Sequence, residues 1–213
     1  MRKLTDRRPE DSPAALASGR AVAHESARKH VAGAARYIDD LPVPVDLAYV
    51  AIGQSIQAHA RIKRVDLSRV RAATGVLDVV VQADIPGKID VAPVYGGDPL
   101  LAGDEVEYVG QPIFAVAATS QEAALRAVAL AEVEYEPLVA HLTVEQSIAA
   151  DSYVLPEHHL MMGDPDGELM RAPHRIEGEI YVRGQEHFYL EGQVGQASLT
   201  EDGGILANGQ RLK

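Results

Sequence analysis

The chain contains no cysteine or tryptophan and only two phenylalanines among its 213 residues. Without cysteine it forms no disulfide and holds no thiolate zinc site or cysteine-bound iron–sulfur cluster. A cysteine-free chain also fits a reducing compartment, and we expect the cytoplasm. The scarcity of large aromatic side chains predicts a core of valine, isoleucine, leucine and alanine. Because no run of about 18 apolar residues is present, we expect no transmembrane helix.

Positive charge is scarce as well. The chain has 20 lysines and arginines against 31 aspartates and glutamates, for a net charge of −11. Binding to nucleic-acid phosphates needs clustered lysine and arginine, so we exclude nucleic acid as a partner. The basic N-terminus lacks the apolar core of a secretory signal. Residues 1–20 are polar and contain Pro9 and Pro13, which predicts a disordered arm.

Motifs of several common enzyme classes are missing. The pairs His24/His30 and His158/His159 lack the i, i+4 spacing of a helical zinc site, which favours exposed loop histidines and predicts no metal site. No glycine-rich phosphate loop precedes a helix, since Gly96-Gly97 lies in a proline-rich stretch. A Gly-x-Ser-x-Gly elbow is also lacking. These patterns argue against a zinc hydrolase, a nucleotide-binding fold and an α/β-hydrolase.

Strands and helices are predicted to alternate in the first two thirds of the chain. Alternating or β-branched apolar runs predict strands over residues 47–54, 60–66, 76–82, 112–118 and 133–137. Helices are predicted over residues 67–74, 119–131 and 143–150. Thr119 and Glu122 are predicted to form the capping box of the second helix. The strand–helix–strand order around it predicts a parallel pairing of its two flanking strands, within an α/β or α+β domain.

The rest of the chain is predicted to contain two irregular stretches and a β-meander. Prolines and glycines predict a long loop over residues 83–103 and an irregular linker over 151–173. Beyond the linker, the pattern predicts strands over 174–183, 186–199 and 205–207, with a turn at Gly203-Gly204.

Residues 184–193 form the most unusual polar pattern in the chain. In a strand, their side chains would alternate between two faces. One face would then carry only polar groups, on Gln185, His187, Tyr189, Glu191 and Gln193. Such a row is typical of half-buried groups that are individually hydrogen-bonded. We interpret it as a structural hydrogen-bond network rather than as a set of catalytic groups.

These motifs together resemble the N-terminal part of the molybdenum-cofactor-binding subunit of bacterial xanthine dehydrogenases, in the molybdenum hydroxylase family. Residues 24–42 resemble the opening segment of that subunit, and residues 109–118 the centre of its α/β-hammerhead domain. Residues 132–137 resemble the closing strand of that domain, and residues 184–191 the start of the molybdopterin-binding part. Aldehyde oxidases and carbon monoxide dehydrogenases share this architecture, but Gln-Glu-His-Phe-Tyr-Leu-Glu favours the xanthine dehydrogenase branch.

The resemblance implies an α+β fold with four regions. After the arm, it implies a hammerhead domain over residues 21–140, a short helix and linker over 141–173, and the first β-strands of a truncated molybdopterin-binding domain over 174–213. It implies an enzyme that hydroxylates hypoxanthine and xanthine to urate, with molybdenum–molybdopterin as cofactor. Iron–sulfur clusters and FAD would lie on a partner chain or region, and the remainder of the catalytic subunit would be a further partner.

The chain departs from the family pattern at its end. The family continues into a metal-proximal Gln, a Gly-Gly-Gly-Phe-Gly-Gly-Lys run and a catalytic Glu, whereas this chain ends at Asn208-Gly-Gln-Arg-Leu-Lys213. Gln210 is the candidate for the metal-proximal Gln and the one cofactor-binding candidate. We expect no catalytic residue and no cofactor on this chain alone, which should therefore be inactive. Gln185, His187, Tyr189 and Glu191 are expected to support the cofactor region without touching the cofactor.

An alternative hypothesis assigns the chain a binding function rather than a part in an enzyme. The chain could be a stand-alone hammerhead module without chemistry, which docks a partner by adding a strand to the edge formed by residues 184–193.

Overall fold

The computed structural model describes residues 23–189 and 191–209. The chain divides into two compact units. Residues 44–179 form the central unit, and the described residues among 23–43 and 180–209 form the terminal unit. The predicted disordered arm, residues 1–20, lies outside the described residues. No helix in the described ranges is long and apolar enough to cross a membrane.

The described residues form eight strands and five short α-helices. The strands are β1 (Tyr49–Gln54), β2 (Ala60–Asp66), β3 (Val76–Val81), β4 (Glu105–Val106), β5 (Pro112–Ala118), β6 (Glu132–Pro137), β7 (Gly195–Leu199) and β8 (Ile205–Gly209). The helices are α1 (Ala27–Val31), α2 (Ser68–Arg71), α3 (Gln121–Val128), α4 (Val144–Ala149) and α5 (Pro165–Arg171). The strands predicted over 60–66 and 112–118 are confirmed at both ends, and the three other predicted strands before residue 140 are confirmed within two residues.

Two three-stranded sheets organise the central unit. One sheet has the order β1-β5-β3 and the other the order β4-β2-β6. Every strand pairing in the described residues is antiparallel. The predicted parallel pairing of the strands around α3 is therefore wrong, because β5 and β6 belong to different sheets. The crossover carries the chain from one sheet to the other, and β6 instead pairs with β2.

Opposite charges face each other across β2 and β6. Glu136 of β6 lies 2.7 Å from Lys63 and 3.3 Å from Arg61, both on β2. At the other end of β6, Glu132 lies 3.2 Å from Arg69 of α2. Opposite charges that face each other across two strands stabilise the pairing of those strands. The charge pattern thus helps to select β2 as the partner of β6.

The core of the central unit is built from small and branched aliphatic side chains around β5. Phe114, Val116 and Ala118 are buried on β5. Helix α3 packs against this strand and β1 with Ala123, Ala124 and Ala127, which are also buried. Alanine side chains let the helix backbone approach the sheet closely. The aliphatic core predicted from the scarcity of aromatics is confirmed, with one of the two phenylalanines inside it.

The start of α3 differs by one residue from the prediction. The Ser120 hydroxyl accepts a hydrogen bond from the backbone N–H of Ala123 at 3.2 Å and caps the helix. Thr119 instead donates its backbone N–H to the carbonyl oxygen of Gly75 at 2.8 Å. The predicted Thr119–Glu122 capping box is thus wrong, because the extended residue that caps the helix is Ser120. Glu122 instead forms an ion pair with Arg126 one turn along the helix.

The predicted linker over residues 151–173 contains a helix that the sequence analysis missed. Helix α5 starts at Pro165, and the Asp164 carboxylate caps it by accepting the N–H of Gly167 at 3.0 Å. An Asp-Pro pair is an ordinary helix start, because proline needs no N–H donor at the first helical position. That signal was available in the sequence.

The predicted β-meander is reduced to one hairpin in the terminal unit. Strands β7 and β8 pair over their full length, with the turn at Gly203 in the left-handed region (φ +81°). The described residues 174–189 and 191–193 form no strand, so that part of the prediction is wrong. Within this unit, a 3₁₀ turn over Ile38–Asp40 follows α1.

Candidate functional site

The polar segment of residues 184–193 does not form the alternating strand that its pattern predicts. Phe188 has a φ of +54°, in the left-handed region, which turns the backbone and breaks a strict two-residue alternation. Gln185, His187 and Tyr189 are exposed rather than half-buried. The prediction of a half-buried network along one strand face is therefore wrong for these three side chains.

Two of the predicted support residues nevertheless contact each other. The rings of His187 and Tyr189 stack, with centroids 5.5 Å apart and ring planes 10° from parallel. Stacking of this kind restricts both side chains and presents the Nδ1 and Nε2 atoms of one ring and the hydroxyl of the other on the same short segment. The sequence pattern did not predict this stacking, since it placed both residues on one face of a strand that is not formed.

Glu191 has a defined hydrogen-bond partner. Its Oε1 atom accepts a hydrogen bond from the backbone N–H of Ile38 at 2.7 Å, across 153 positions of sequence. Ile38 begins the 3₁₀ turn, and Asp40 closes the same turn by accepting the N–H of Tyr37 at 3.0 Å. The turn is therefore held by two carboxylates, one from each end of the terminal unit. No motif predicted this contact, although its two residues lie in two of the four segments that carry the family resemblance.

The remaining candidate from the sequence, Gln210, lies outside the described residues. Among the residues that the structure describes, no group of three or more histidines, aspartates and glutamates is arranged to hold a metal ion. Of the histidines predicted to lie in loops, His158 lies beside the ring of Tyr95 and His159 lies 3.0 Å from Glu157, whereas His30 lies in helix α1. The expectation that this chain holds no metal stays a prediction.

The central unit has an open cleft between its sheets. Its volume is about 640 Å³, and its lining includes Gly53, Phe114, Val133 and Tyr135 together with the charged Arg64, Glu132 and Glu134. Gly53 is required there, because a methyl group on its α-carbon would overlap the ring of Phe114. The cleft therefore depends on a close approach between the backbone of β1 and a buried aromatic ring.

His59 is a polar site that the sequence analysis missed. Its two ring nitrogens lie within hydrogen-bond distance of Glu105 and of the carbonyl oxygen of Val139. These hydrogen bonds, that to Val139 first, raise the pKa of the imidazole above its ordinary value of 6.5. The partners lie 46 and 80 positions away in sequence, so no local pattern could have indicated the site.

A family model and individual relatives identify the same family for this chain. The family described as "aldehyde oxidase and xanthine dehydrogenase, a/b hammerhead domain" matches residues 32–139. The chain is 39% identical to aldehyde oxidase 2 of Macaca fascicularis over 176 residues, which cover 82% of this chain and 13% of that protein. It is 35% identical to xanthine dehydrogenase/oxidase of Gallus gallus over 173 residues, covering 81% of this chain and 13% of that protein. The chain thus spans only a small part of the curated relatives it matches.

The fold agrees with the sequence comparison. The aldehyde oxidoreductase of Desulfovibrio gigas superposes with a TM-score of 0.73 and 26% identity, over 87% of this chain and 23% of that chain. The α+β hammerhead fold expected from the resemblance is therefore confirmed. From the family match, the shared fold and these relatives together, the chain belongs to the aldehyde oxidase and xanthine dehydrogenase family of molybdenum hydroxylases.

Proposed function

We propose that this chain is the N-terminal part of the molybdopterin-binding subunit of a bacterial xanthine dehydrogenase, which converts hypoxanthine and xanthine to urate. The observation that carries the proposal is the reach of the likeness beyond the hammerhead domain. The family match ends at residue 139, whereas the structural likeness covers 87% of the chain. A relative named aldehyde oxidase matches at 39% identity and one named xanthine dehydrogenase/oxidase at 35%, so the choice of purines rests on the Gln-Glu-His-Phe-Tyr-Leu-Glu segment at residues 185–191.

The proposed domain organisation follows the resemblance. The hammerhead domain spans residues 21–140, and the family match over 32–139 lies inside these limits. A short helix and linker occupy residues 141–173, and the start of the molybdopterin-binding domain occupies 174–213. The complete enzyme would work in the cytoplasm, which suits a chain without cysteine. Its iron–sulfur clusters and FAD would be bound by a partner chain or region.

The described residues do not by themselves fit a molybdopterin. Gln185, His187 and Tyr189 point from an exposed segment rather than into a cradle, and Glu191 already accepts the N–H of Ile38. A pterin needs converging backbone and side-chain donors. We therefore propose that the molybdenum cofactor of the complete enzyme is held by other residues of that enzyme, with Gln210 as the candidate on this chain. Glu191, His187, Tyr189 and Gln185 would shape the segment that leads to it.

Exposed apolar side chains in the terminal unit favour this proposal over a stand-alone module. Ile180, Val182 and Phe188 are 88%, 74% and 91% exposed. Exposed apolar side chains of this size favour a surface that other protein covers. In the larger enzyme, the rest of the subunit would cover them.

Two protein preparations test the proposal. The gene region is sequenced downstream of Lys213, and the 213-residue chain is compared with the chain extended through any continuing or neighbouring frame. We expect a Gly-Gly-Gly-Phe-Gly-Gly-Lys segment downstream, molybdenum and pterin in the extended protein alone, and a higher kcat/KM for xanthine than for benzaldehyde. A monodisperse 213-residue protein in light scattering, with no such segment downstream, would instead support the stand-alone module. Stoichiometric molybdenum in the 213-residue chain would contradict the assignment of the cofactor to later residues.

A further inference from the structure

His59 lies directly before β2 and has an oxygen atom on each side of its ring. Its Nε2 lies 2.8 Å from Oε1 of Glu105, and its Nδ1 lies 2.5 Å from the carbonyl oxygen of Val139. Glu105 belongs to β4, and Val139 follows β6. Because β2 lies between β4 and β6 in the sheet, one imidazole contacts both neighbours of its own strand.

Both partners accept hydrogen bonds and neither donates one when Glu105 is ionised. A neutral imidazole has one N–H group and one lone pair, so it can satisfy only one of these oxygens. The imidazolium ion has two N–H groups and satisfies both. Glu105 and Glu107 also favour this charged form through space, and both act from the β4 side. From the β6 side, the group that faces the ring is the uncharged carbonyl of Val139.

We propose that His59 is a proton-dependent clamp that holds β4 more firmly against β2 when its ring is charged than when its ring is neutral. The neutral ring keeps Val139, because that segment is also held by the hydrogen bond from the Leu138 N–H to the His59 carbonyl at 3.0 Å. The Glu105 side chain is 43% exposed and can turn into water. The clamp does not depend on the oxidoreductase assignment.

A looser attachment of β4 also loosens the loop that leads into this strand. β4 has only two residues, and its Val106 is fully buried in the core. It also ends the long loop of residues 85–103. The clamp therefore sets how firmly this loop and its strand are attached to the sheet. Folding raises the pKa of His59. The stabilisation of β4 by the charged ring is therefore complete below pH 6.5 and disappears as the pH rises through the raised pKa.

Nitrogen-15 NMR of the 213-residue chain tests the clamp with three reporters. The imidazole nitrogens give the titration midpoint of His59. The Ile62 N–H, which donates to the carbonyl of Asp104 at 2.8 Å, reports the attachment of β4, and the Leu138 N–H reports the β6 side. We expect a midpoint above 6.5 and a fall in the hydrogen-exchange protection of Ile62 of roughly two- to fivefold above it, in the range for a partly exposed ion pair. Protection of Leu138 should stay constant.

Matched variants separate the clamp from general effects of pH. Glu105→Gln should lower the His59 midpoint and remove the pH dependence of Ile62 protection, since a neutral amide can pair with a neutral ring. Glu122→Gln makes the same chemical change on α3, where the carboxylate pairs with Arg126, and should alter neither reporter. A wild-type midpoint at or below 6.5 would overturn the proposal even if a variant failed to fold. The proposal would also be overturned if the protection of the Ile62 N–H depended on pH in the same way in the wild-type protein and in Glu105→Gln.

Discussion

The carboxylate of Glu191 accepts a hydrogen bond from the backbone N–H of Ile38 at 2.7 Å, and so joins two stretches of chain that are 153 residues apart. Ile38 is the first residue of a 3₁₀ turn, whose leading N–H groups have no partner within the turn. A carboxylate at this position supplies the missing acceptor and a favourable charge. The contact links the opening segment of the family resemblance to its Gln-Glu-His-Phe-Tyr-Leu-Glu segment within one compact unit.

Removal of the Glu191 carboxylate should loosen the 3₁₀ turn. In Glu191→Ala, the N–H of Ile38 loses its acceptor, which costs about 1–3 kcal/mol for a partly buried donor. We expect the hydrogen-exchange protection of the Ile38 amide to fall, and to fall less in Glu191→Gln, whose amide oxygen can still accept. Glu201→Ala removes an exposed carboxylate in the β7–β8 turn and serves as the control. Equal protection of Ile38 in all four proteins would show that the contact does not hold the turn in solution.

A methyl group at position 53 should destabilise the central unit. In Gly53→Ala, the new side chain overlaps the buried ring of Phe114, so the ring or the backbone of β1 must move. Overpacking of this kind costs about 1–3 kcal/mol in the free energy of unfolding, measured here by urea denaturation. Gly87→Ala is the matched control, because the space around that position is open. Equal stability of the two variants would contradict the close packing of Gly53 on Phe114.

The cap of α3 can be assigned by two neighbouring substitutions. Ser120→Ala removes the hydroxyl that accepts the Ala123 N–H, and loss of such a cap costs about 0.5–2 kcal/mol. Thr119→Ala should have a smaller effect, because Thr119 contributes its backbone N–H rather than its hydroxyl. Thermal unfolding followed by circular dichroism would compare them. A larger loss of thermal stability in Thr119→Ala than in Ser120→Ala would instead support the Thr119–Glu122 capping box that the sequence predicts.

Asp90 should titrate at an unusually low pH. Its carboxylate accepts the N–H groups of Ala92 at 2.9 Å, Gly97 at 2.8 Å and Asp98 at 3.3 Å. These bonds, that from Ala92 first, hold the pKa of Asp90 below its ordinary value of 3.8. The stabilisation of the loop by these hydrogen bonds is therefore complete above pH 3.8, and it is lost as the pH falls through the lowered pKa of Asp90.

Carbon-13 NMR of the Asp90 carboxyl group measures this midpoint directly. The amide signals of Ala92 and Gly97 should shift with the same midpoint, and Asp90→Asn should abolish both shifts. A midpoint at 3.8 or higher would show that the loop of residues 85–103 is not organised around this carboxylate.

Local signals in the sequence were sufficient for most of the secondary structure. The β-branched and alternating runs predicted β2 and β5 at their observed limits, because strand formation depends on side chains that fit a pleated, half-buried surface. Thr143 and Gln146 at the start of α4 likewise form the capping box expected of a helix predicted over 143–150. Family membership could also be inferred from short segments in order, since the resemblance depends on residue types rather than on contacts.

Errors in the sequence analysis concern strand partners and also the second half of the chain, where helix α5 was missed and, of the strands predicted over 174–183 and 186–199, the described residues form only Gly195–Leu199. The order of strand, helix and strand around α3 does not reveal whether the second strand returns to the same sheet, and here it joins the other sheet. Polar alternation over residues 184–193 resembles a strand, but a strand requires a hydrogen-bonded neighbour, which the described residues 184–189 and 191–193 do not have.

The sequence by itself therefore determined most of the strands and helices before residue 150, the aliphatic character of the core, and the family to which the chain belongs. Tertiary structure alone decided which strands pair, and it brought Glu191 to Ile38 and His59 between Glu105 and Val139. The physical reason is that periodicity and capping act over one or two turns of chain. Contacts between residues 46 to 153 positions apart arise only when packing has closed the intervening loops.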